Sequence, residues 1–447
     1  MGTTTSTRPV AHATAATRPA TGAVPTLAPL SPAEVRRGMR ISILEGAIAN
    51  VHITITGAIG GSVFLTGYAL LLGANSFQLG LMGALPFIGQ VFQFVGAYLE
   101  ERTGTRRALV LYGALAGRLI WALLLALPFL SFLQGAHLAI FFAGLACSYA
   151  FNGIAANAWM SWMSDLAPPQ RRGAYFGVRN TVAALAAMAA TFFAGWTLDV
   201  FRARGHEAPG YAVIFGVAVL SAVVAAALIA RQPEPPLRPA ARVNPAALFG
   251  APLRDRGFRH FMLAGTGWAL VTGIAIPFFS AYGLNTLKLS FATLSLTAIV
   301  TSAVSLVFGP LVGRLQDRCG YRVVLVACVL GTVPLPWGWV LSTPTNITPL
   351  WLTAIFSGVF WPGLNQGLAN VLMERAPADC RGAALAAYSA ATGLGTLVAG
   401  LLGGALATLL ADAHFSLGPI TLAGLACLFA LTSLGRAVMA AVFWKTL

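Results

Sequence analysis

The sequence predicts an all-α polytopic membrane protein, and three observations support this prediction. Hydrophobic residues make up 57% of the 447 residues. Charged residues make up 9%, whereas a typical soluble domain has about 25%. Apolar runs long enough to cross a bilayer, which takes about 20 residues in a helix, recur along the chain. These observations exclude an ordinary soluble enzyme, because so few charged side chains could not cover the surface of a soluble globule.

The apolar runs divide the chain into two halves. Residues 1–40 are rich in Thr, Ala, Pro and Arg and lack the apolar core of a signal peptide, so they predict a disordered cytoplasmic tail. A polar, Pro-rich cytoplasmic linker at 231–257 separates an N-terminal half (41–230) from a C-terminal half (258–447). The twelve predicted spans, numbered in chain order, are 42–72, 77–100, 107–130, 137–163, 174–199, 211–230, 258–286, 291–314, 321–342, 349–373, 382–411 and 417–438.

The net charge is +15, and the distribution of the basic residues along the chain indicates the topology. In a soluble chain it would suggest nucleic-acid binding, but here the basic residues lie between the apolar runs, so no nucleic-acid partner is predicted. If both termini are cytoplasmic, the tail, the alternate loops and the C-terminal end with Arg436 carry nearly all of the 28 Lys and Arg residues. The opposite loops carry Arg202, Arg204 and Lys288. This distribution predicts twelve spans with both termini cytoplasmic. The location expected for the protein is a bacterial inner membrane.

The two halves contain an internal repeat. The loop after span 2 reads Glu101-Arg102-Thr103-Gly104-Thr105-Arg106, and the loop after span 8, 216 positions later, reads Asp317-Arg318-Cys319-Gly320-Tyr321-Arg322. Asp165 and Arg172 after span 4 correspond to Glu374 and Arg381 after span 10, 209 positions later. Parallel repeats of this kind place a substrate cavity between the halves, near the middle of the membrane.

These residues carry a family resemblance. The loop from Gly313 to Arg322 resembles the signature loop between spans 2 and 3 of the major facilitator superfamily, whereas the first-half copy has Ala97 and Glu101 in place of the usual glycine and aspartate. The resemblance covers about residues 40–445 and extends to a poorly characterised bacterial branch. It implies two parallel six-helix repeats and secondary transport by alternating access, but no particular substrate. It also implies a gate at the signature loops, whose residues are Glu101, Arg102, Gly104, Arg106, Asp317, Arg318, Gly320 and Arg322. Asp165, Arg172, Glu374 and Arg381, in the loops after spans 4 and 10, are further gate candidates, because Asp165 and Glu374 lie at helix ends where they can pair with loop arginines.

Arg118 is the strongest candidate for a functional residue. It lies twelve residues beyond Arg106, or about 18 Å along a helix at 1.5 Å per residue. A charge at that depth is unfavourable unless it serves a function or is paired. Arg118 therefore predicts an anion-binding group in the cavity, and the alternative is a structural arginine paired within the N-terminal half.

Span 1 supplies two candidate coupling residues. Glu45 and His52 are seven residues apart, so they lie on one stripe of the helix. Both are candidates for proton coupling, and His52 is also a candidate substrate contact. The alternatives are that Glu45 pairs with Arg179 and that His52 has a packing role. Trp268 is the repeat partner of His52, so the two are predicted to form opposite sides of one pocket.

Spans 4 and 10 share a duplicated polar stripe, in which Asn157, Ser161 and Asp165 recur as Gln366, Asn370 and Glu374. The amides Asn157, Gln366 and Asn370 are predicted to hydrogen-bond a substrate. Trp159 and Trp361 are predicted to stack on a flat or sugar-like ligand. The alternative is that the polar groups bond one helix to another.

The sequence contains no ATP-binding motif, catalytic triad or metal spacing, and its five cysteines form no CxxC pair, so no enzyme activity, metal or cofactor is predicted. The function expected is secondary active transport by a monomer whose partners are a small-molecule substrate, membrane lipid and, as one version of the coupling, protons. The alternative is a non-transporting assembly or lipid-handling protein on the same scaffold. An apolar interface without a cavity would favour that alternative.

Overall fold

The computed structural model describes residues 30–57, 61–236, 252–377, 381–417 and 420–447. In the N-terminal half the helices are Pro32–Thr56 and Val63–Leu71 (span 1), Ser76–Ala84 and Pro86–Thr103 (span 2), Arg106–Leu124 (span 3), His137–Leu166 (span 4), Arg172–Ala203 (span 5) and Glu207–Ala230 (span 6). In the C-terminal half they are Arg256–Gly273 and Ile276–Asn285 (span 7), Phe291–Cys319 (span 8), Tyr321–Thr332 and Leu335–Val340 (span 9), Thr348–Arg375 (span 10), Arg381–Leu409 (span 11) and Leu425–Thr446 (span 12).

The helices agree with the twelve predicted spans. Ten of them, within the described ranges, are long and apolar enough to cross a membrane. Spans 1 and 10 complete the twelve. Span 1 is interrupted after Thr56, and span 10 carries Asn365, Gln366 and Asn370 within its length. Spans 1 and 10 are therefore less apolar or less continuous than the other ten.

The first helix begins earlier than predicted. It starts at Pro32, whereas the sequence predicts a disordered tail as far as residue 40. Ser31 and Glu34 form a reciprocal capping box, in which Glu34 N donates to Ser31 Oγ and Ser31 N donates to Glu34 Oε2. Such a box satisfies two backbone donors that would otherwise lack partners, so it starts the helix here. Residues 1–29 of the predicted tail, and 237–251 of the predicted linker, lie outside the described residues.

The last span begins later than predicted. The sequence predicts span 12 at 417–438, but the helix is Leu425–Thr446. The preceding residues form an antiparallel hairpin of two strands, His414–Leu417 and Ile420–Ala423. Gly424 then turns the chain into the helix with a φ of 53°, a value that favours glycine.

Arg436 lies within span 12 rather than at its cytoplasmic end, which corrects the predicted charge distribution. Its side chain is 2% exposed, and its Nη1 donates to Thr332 O at 2.8 Å. Span 9 breaks immediately after Thr332, and Pro336 has no N–H to donate to the Thr332 carbonyl as a helix would require. Arg436 therefore satisfies a carbonyl that the break in span 9 leaves free.

The largest buried core joins the two halves at one end of the bundle. It contains Phe64 and Tyr211 from the N-terminal half and Phe278, Phe291 and Phe429 from the C-terminal half. This end carries the loops 72–75, 204–206 and 286–290 and is called the opposite end. The other end carries the loops with Arg102, Arg171, Arg318 and Arg375 and is called the arginine-rich end.

The described hydrogen bonds between the halves also lie at the opposite end. Both carboxylate oxygens of Asp199, near the end of span 5, accept from the first backbone N–H groups of span 8, at 2.8 Å from Phe291 and 2.7 Å from Ala292. Spans 2 and 11 cross closely through Gly80 and Gly404. The halves are therefore joined at the opposite end.

Candidate functional site

A cavity of about 720 Å³ lies among spans 1 to 6 of the N-terminal half, and we call it the arginine chamber. Its ionisable lining residues include Glu45, Arg118 and Arg179, and Trp159 provides an aromatic wall. Its amide side chains are Asn50, Gln90, Gln93, Asn152 and Asn180. The chamber is therefore polar on several sides although apolar helices form its walls.

Arg118 reaches the chamber from the middle of span 3. Its side chain is buried, with 8% of its surface exposed. Its Nε and Nη1 atoms are fully buried, and neither has a hydrogen-bond partner among the described residues. A buried donor without a partner carries a penalty of about 1–3 kcal/mol, and more when the group is charged. This side chain is thus placed to donate to a group that enters the chamber.

Arg179 is held in place by two neighbours. Its Nη2 lies 3.4 Å from Glu45 Oε2, and its guanidinium carbon lies 4.3 Å from the centre of the Trp159 ring. Gly46 leaves room for it, because a Cβ there would lie 2.8 Å from Arg179 Nη2. The pairing of Glu45 with Arg179, which the sequence left as one alternative, is therefore present.

The charges of the chamber do not balance. Two arginines, Arg118 and Arg179, line it, and among the described lining residues Glu45 is the one carboxylate. Glu45 is already paired with Arg179. The chamber therefore has a surplus positive charge at Arg118, which favours an anionic occupant.

The structure places His52 and Trp268 away from the walls of the arginine chamber. His52 is fully buried, its Nδ1 lies 3.1 Å from Ala218 O, and its ring makes an edge contact with Trp121. Trp268 packs against Trp361 and Phe443 in the core of the C-terminal half. Neither residue lines the arginine chamber, so a pocket shared by His52 and Trp268 stays a prediction.

The duplicated polar stripe bonds helix to helix. Asn157 Nδ2 and Ser161 Oγ donate to Glu100 of span 2, at 3.3 and 2.5 Å. In the second half Asn370 Nδ2 donates to Gln316 Oε1 of span 8 at 2.9 Å, and Gln316 follows Glu100 by 216 positions. Gln366 Nε2 donates to Gly309 O at 3.4 Å. These amides are thus engaged within each half, as the alternative interpretation expects.

Two ion pairs tie the signature loops to spans 4 and 10. Arg106 pairs with Asp165, and Arg322 pairs with Glu374. Arg172 donates to Ser164 O at 2.6 Å. Arg381 begins span 11, and its side chain lies outside the described part of the structure.

The remaining signature residues are exposed or form turns. Gly104 and Gly320 adopt φ values of 65° and 83°, which explains why both copies of the loop carry glycine. Glu101, Arg102, Asp317 and Arg318 are exposed. Glu101 and Asp317 form no ion pair with the residues that the structure describes.

Several chamber residues were not predicted from the sequence. Gln90 and Gln93 face the chamber from span 2, and Asn152 faces it from span 4. Each is a polar residue inside an apolar run, which is the signal that could have identified it. Arg179 was predicted as a partner of Glu45 and not as a wall of the cavity.

The helices of twelve spans, duplicated halves and a polar chamber define a multi-pass membrane protein that can hold a small molecule. The sequence matches the family model of the Major Facilitator Superfamily over residues 46–395 and 269–445. The chain therefore belongs to the Major Facilitator Superfamily, and it is a membrane transporter rather than an enzyme.

Solved structures share the fold. A mutant of the nucleoside transporter NupG is 11% identical, with a TM-score of 0.73 over 91% of this chain and 99% of that chain. A POT family transporter in complex with 5-aminolevulinic acid is 12% identical, with a TM-score of 0.70 over 92% and 96%. The D-xylose-proton symporter is 16% identical, with a TM-score of 0.67 over 93% and 98%. The search of curated proteins finds no match.

Proposed function

We propose that the protein is a secondary active transporter that moves a small anionic solute across the bacterial cytoplasmic membrane by alternating access. The observation that carries this proposal is Arg118, a buried arginine that faces a cavity and has two donor atoms without a described partner. A guanidinium remains charged at any physiological pH, so it requires an anion and cannot carry the proton itself.

Arg436 is a second buried arginine, and its structural role provides a comparison for Arg118. Arg436 Nη1 donates to Thr332 O at 2.8 Å, its Nε is buried without a described partner, and it does not line the arginine chamber. Arg118 differs in two respects, since it lines the chamber and both its Nε and its Nη1 are buried without a partner among the described residues. This contrast favours a ligand as the partner of Arg118.

Alternating access is supported by where the halves meet. The described inter-half hydrogen bonds and the largest shared core lie at the opposite end. Rocking of the halves would separate that end and close the arginine-rich end. In this proposal both termini are cytoplasmic, so the arginine-rich end faces the cytoplasm, and the monomer is surrounded by lipid.

Glu45 is the residue that we expect to carry the proton in a proton-coupled cycle. Its carboxylate faces the chamber and shares the local field of Arg118 and Arg179. An anion that enters the chamber would compete with Glu45 for these arginines, so uptake of a proton by Glu45 would favour substrate binding. His52 stays a candidate from the sequence, although it is enclosed between Trp121 and Ala218.

The rival function, a non-transporting assembly or lipid-handling protein, predicts an apolar interface without a cavity. The arginine chamber argues against it. Asn370, which the sequence predicts as a substrate contact, instead bonds Gln316. The argument against the rival therefore depends on the arginine chamber and on a second cavity that lies between the halves.

The experiment is a thermal-shift screen of small anions and neutral analogues against the purified protein, followed by uptake of the hits into proteoliposomes. We expect anions to stabilise the parent, because a ligand that binds the native state raises its stability by mass action. Arg118→Ala should abolish the shift and the uptake, and Arg118→Lys should weaken both, because lysine keeps the charge but loses the planar fork. Arg436→Lys is the matched control. Unchanged shifts in Arg118→Ala, or stabilisation by neutral compounds alone, would refute the anion site.

A further inference from the structure

A second cavity adjoins the arginine chamber. It has a volume of about 580 Å³ and lies between the halves, among spans 1, 5, 7, 8, 9 and 10. Ile53 lines both cavities, so they are neighbours at span 1. Ala184 of the arginine chamber and Thr191 of the second cavity are seven residues apart on span 5, which corresponds to about 10 Å along the helix.

The second cavity is lined by hydroxyl groups, and we call it the hydroxyl chamber. Three of its threonines donate to backbone carbonyls. Thr191 Oγ1 donates to Ala187 O at 2.8 Å, and Thr297 Oγ1 donates to Leu294 O at 2.8 Å. Thr301 Oγ1 lies 2.9 Å from Thr297 O and 3.0 Å from Ala354 O. A hydroxyl that has given its proton to a carbonyl still has lone pairs to offer. Thr191, Thr297 and Thr301 therefore present hydrogen-bond acceptors.

The two chambers thus have complementary chemistry. The arginine chamber offers unpaired donors on Arg118, whereas the hydroxyl chamber offers acceptors. None of the described residues that line the hydroxyl chamber is ionisable, so an ammonium group would find no counter-charge there. Phe279 and Trp339 pack together in its wall and supply an apolar surface for C–H groups.

We propose that one substrate occupies both chambers, and that it is a monoanion with an uncharged, polyhydroxylated body of the sugar-acid type. Its anionic group pairs with Arg118, and its hydroxyl groups donate to the threonines of the hydroxyl chamber. This proposal rests on the proposed function, because it takes the anion site at Arg118 as given. It adds that the hydroxyl chamber distinguishes among anions by binding the hydroxylated body of the substrate.

The test uses three probes of six carbons against the purified full-length protein, with affinity measured by titration calorimetry. Gluconate has an anionic group and hydroxyls, hexanoate has the anionic group alone, and sorbitol has the hydroxyls alone. We expect gluconate to bind at least about tenfold more tightly than hexanoate, which corresponds to the loss of roughly one to two hydrogen bonds of about 1 kcal/mol each. Sorbitol should bind more weakly than gluconate.

Thr191→Val tests the hydroxyl chamber directly. Valine keeps the shape of threonine but removes the acceptor, and the hydroxyl of Thr191 bonds only its own helix among the described residues. We expect weaker gluconate binding by several-fold with hexanoate binding unchanged. Thr181→Val is the control, because Thr181 lies on the same span, bonds Gly177 O at 2.9 Å and lines neither chamber.

The outcomes separate the two proposals. Equal affinities for gluconate and hexanoate in the parent, or an equal effect of Thr191→Val on both, would overturn the role of the hydroxyl chamber and leave the anion site standing. Failure of both anions to bind, or binding of sorbitol as tight as that of gluconate, would overturn the anion site and with it this inference.

Discussion

Arg106 and Asp165 form an ion pair in which Nη1 lies 2.7 Å from Oδ2, and the same contact recurs in the second half. There Arg322 Nη2 lies 3.1 Å from Glu374 Oε1. The partners are related by the two repeat shifts of 216 and 209 positions that the sequence contains. The internal repeat therefore duplicates the ion pair itself as well as the residues that form it.

The two ion pairs differ in their exposure. The side chain of Arg106 is 1% exposed, whereas that of Arg322 is 46% exposed. The start of the linker covers the first pair, because Arg106 Nη2 donates to Pro235 O at 3.0 Å and Glu234 Oε1 accepts from Arg106 N at 2.6 Å. Trp162 Nε1 also donates to Pro233 O. The start of the linker thus covers Arg106, the first residue of span 3.

Asp165→Asn should destabilise the protein more than Glu374→Gln. Removal of the Asp165 charge leaves a buried guanidinium without its counter-ion, which we expect to lower the free energy of unfolding by about 1–3 kcal/mol, because Asp165 itself is partly exposed. Glu374→Gln should change it by less than about 1 kcal/mol, as is usual for exposed pairs. Thermal unfolding of both variants in detergent measures the difference. Equal losses would show that the linker does not isolate Arg106 from solvent.

The repeat in the sequence predicted much of this architecture. The pairing of Asp165 and Glu374 with loop arginines follows from the two shifts and from the position of each residue at a helix end. Pro334 and Pro336 mark the break in span 9 in the sequence. The role of Arg436 was not predictable, because it depends on which helix packs beside Thr332. The chamber position of Arg179 likewise depends on how span 5 rotates against span 1.

Reporter fusions should confirm the orientation of the spans. We expect fusions after residues 135, 206, 288, 345 and 414 to report outside, and fusions after 104, 245, 318 and 447 to report inside, because the basic residues concentrate at the second set of loops. An alkaline phosphatase reporter that is active only outside, paired with a fluorescent reporter that folds inside, measures both. Exchange of any site between the two sets would contradict the orientation.

Gly404→Ala should disfavour the conformation described here. A Cβ at Gly404 would lie 2.8 Å from the carbonyl oxygen and 3.2 Å from the Cα of Phe77, and backbone atoms of a helix cannot move aside easily. The opposite end would then open more often. The measure is the rate at which an impermeant maleimide labels Ser280→Cys, a residue of the hydroxyl chamber, in a background without the native cysteines. We expect a severalfold increase.

Gly216→Ala is the control for Gly404→Ala. A Cβ at Gly216 meets no described atom within 4 Å, so the labelling rate should not change. Equal rates for Gly404→Ala and the parent would mean that spans 2 and 11 do not need this close crossing to hold the opposite end together.

Asp199→Asn should open the opposite end by a different route. Both carboxylate oxygens accept from the start of span 8 in the other half, and a carboxylate at a helix N-terminus also interacts favourably with the helix dipole. The amide keeps one acceptor and places a donor against the second N–H. We expect faster labelling of Ser280→Cys than in the parent. Asp412→Asn, an exposed residue near the same end, serves as the control and should leave the rate unchanged.

Asp317→Asn should shift the same equilibrium in the reverse direction. Asp317 is exposed at the arginine-rich end, where the described residues give it no ion-pair partner in this conformation. The family resemblance implies that such an acid contacts neighbouring arginines and a helix N-terminus when that end closes. Loss of its charge should therefore weaken the state that is closed at the arginine-rich end and open at the opposite end. We expect slower labelling of Ser280→Cys, together with reduced transport at normal membrane abundance.

Glu101→Gln should have a smaller effect, because Glu101 departs from the aspartate of the family pattern. If Asp199→Asn and Asp317→Asn moved the labelling rate in the same direction, the assignment of these two acids to opposite gates would be wrong.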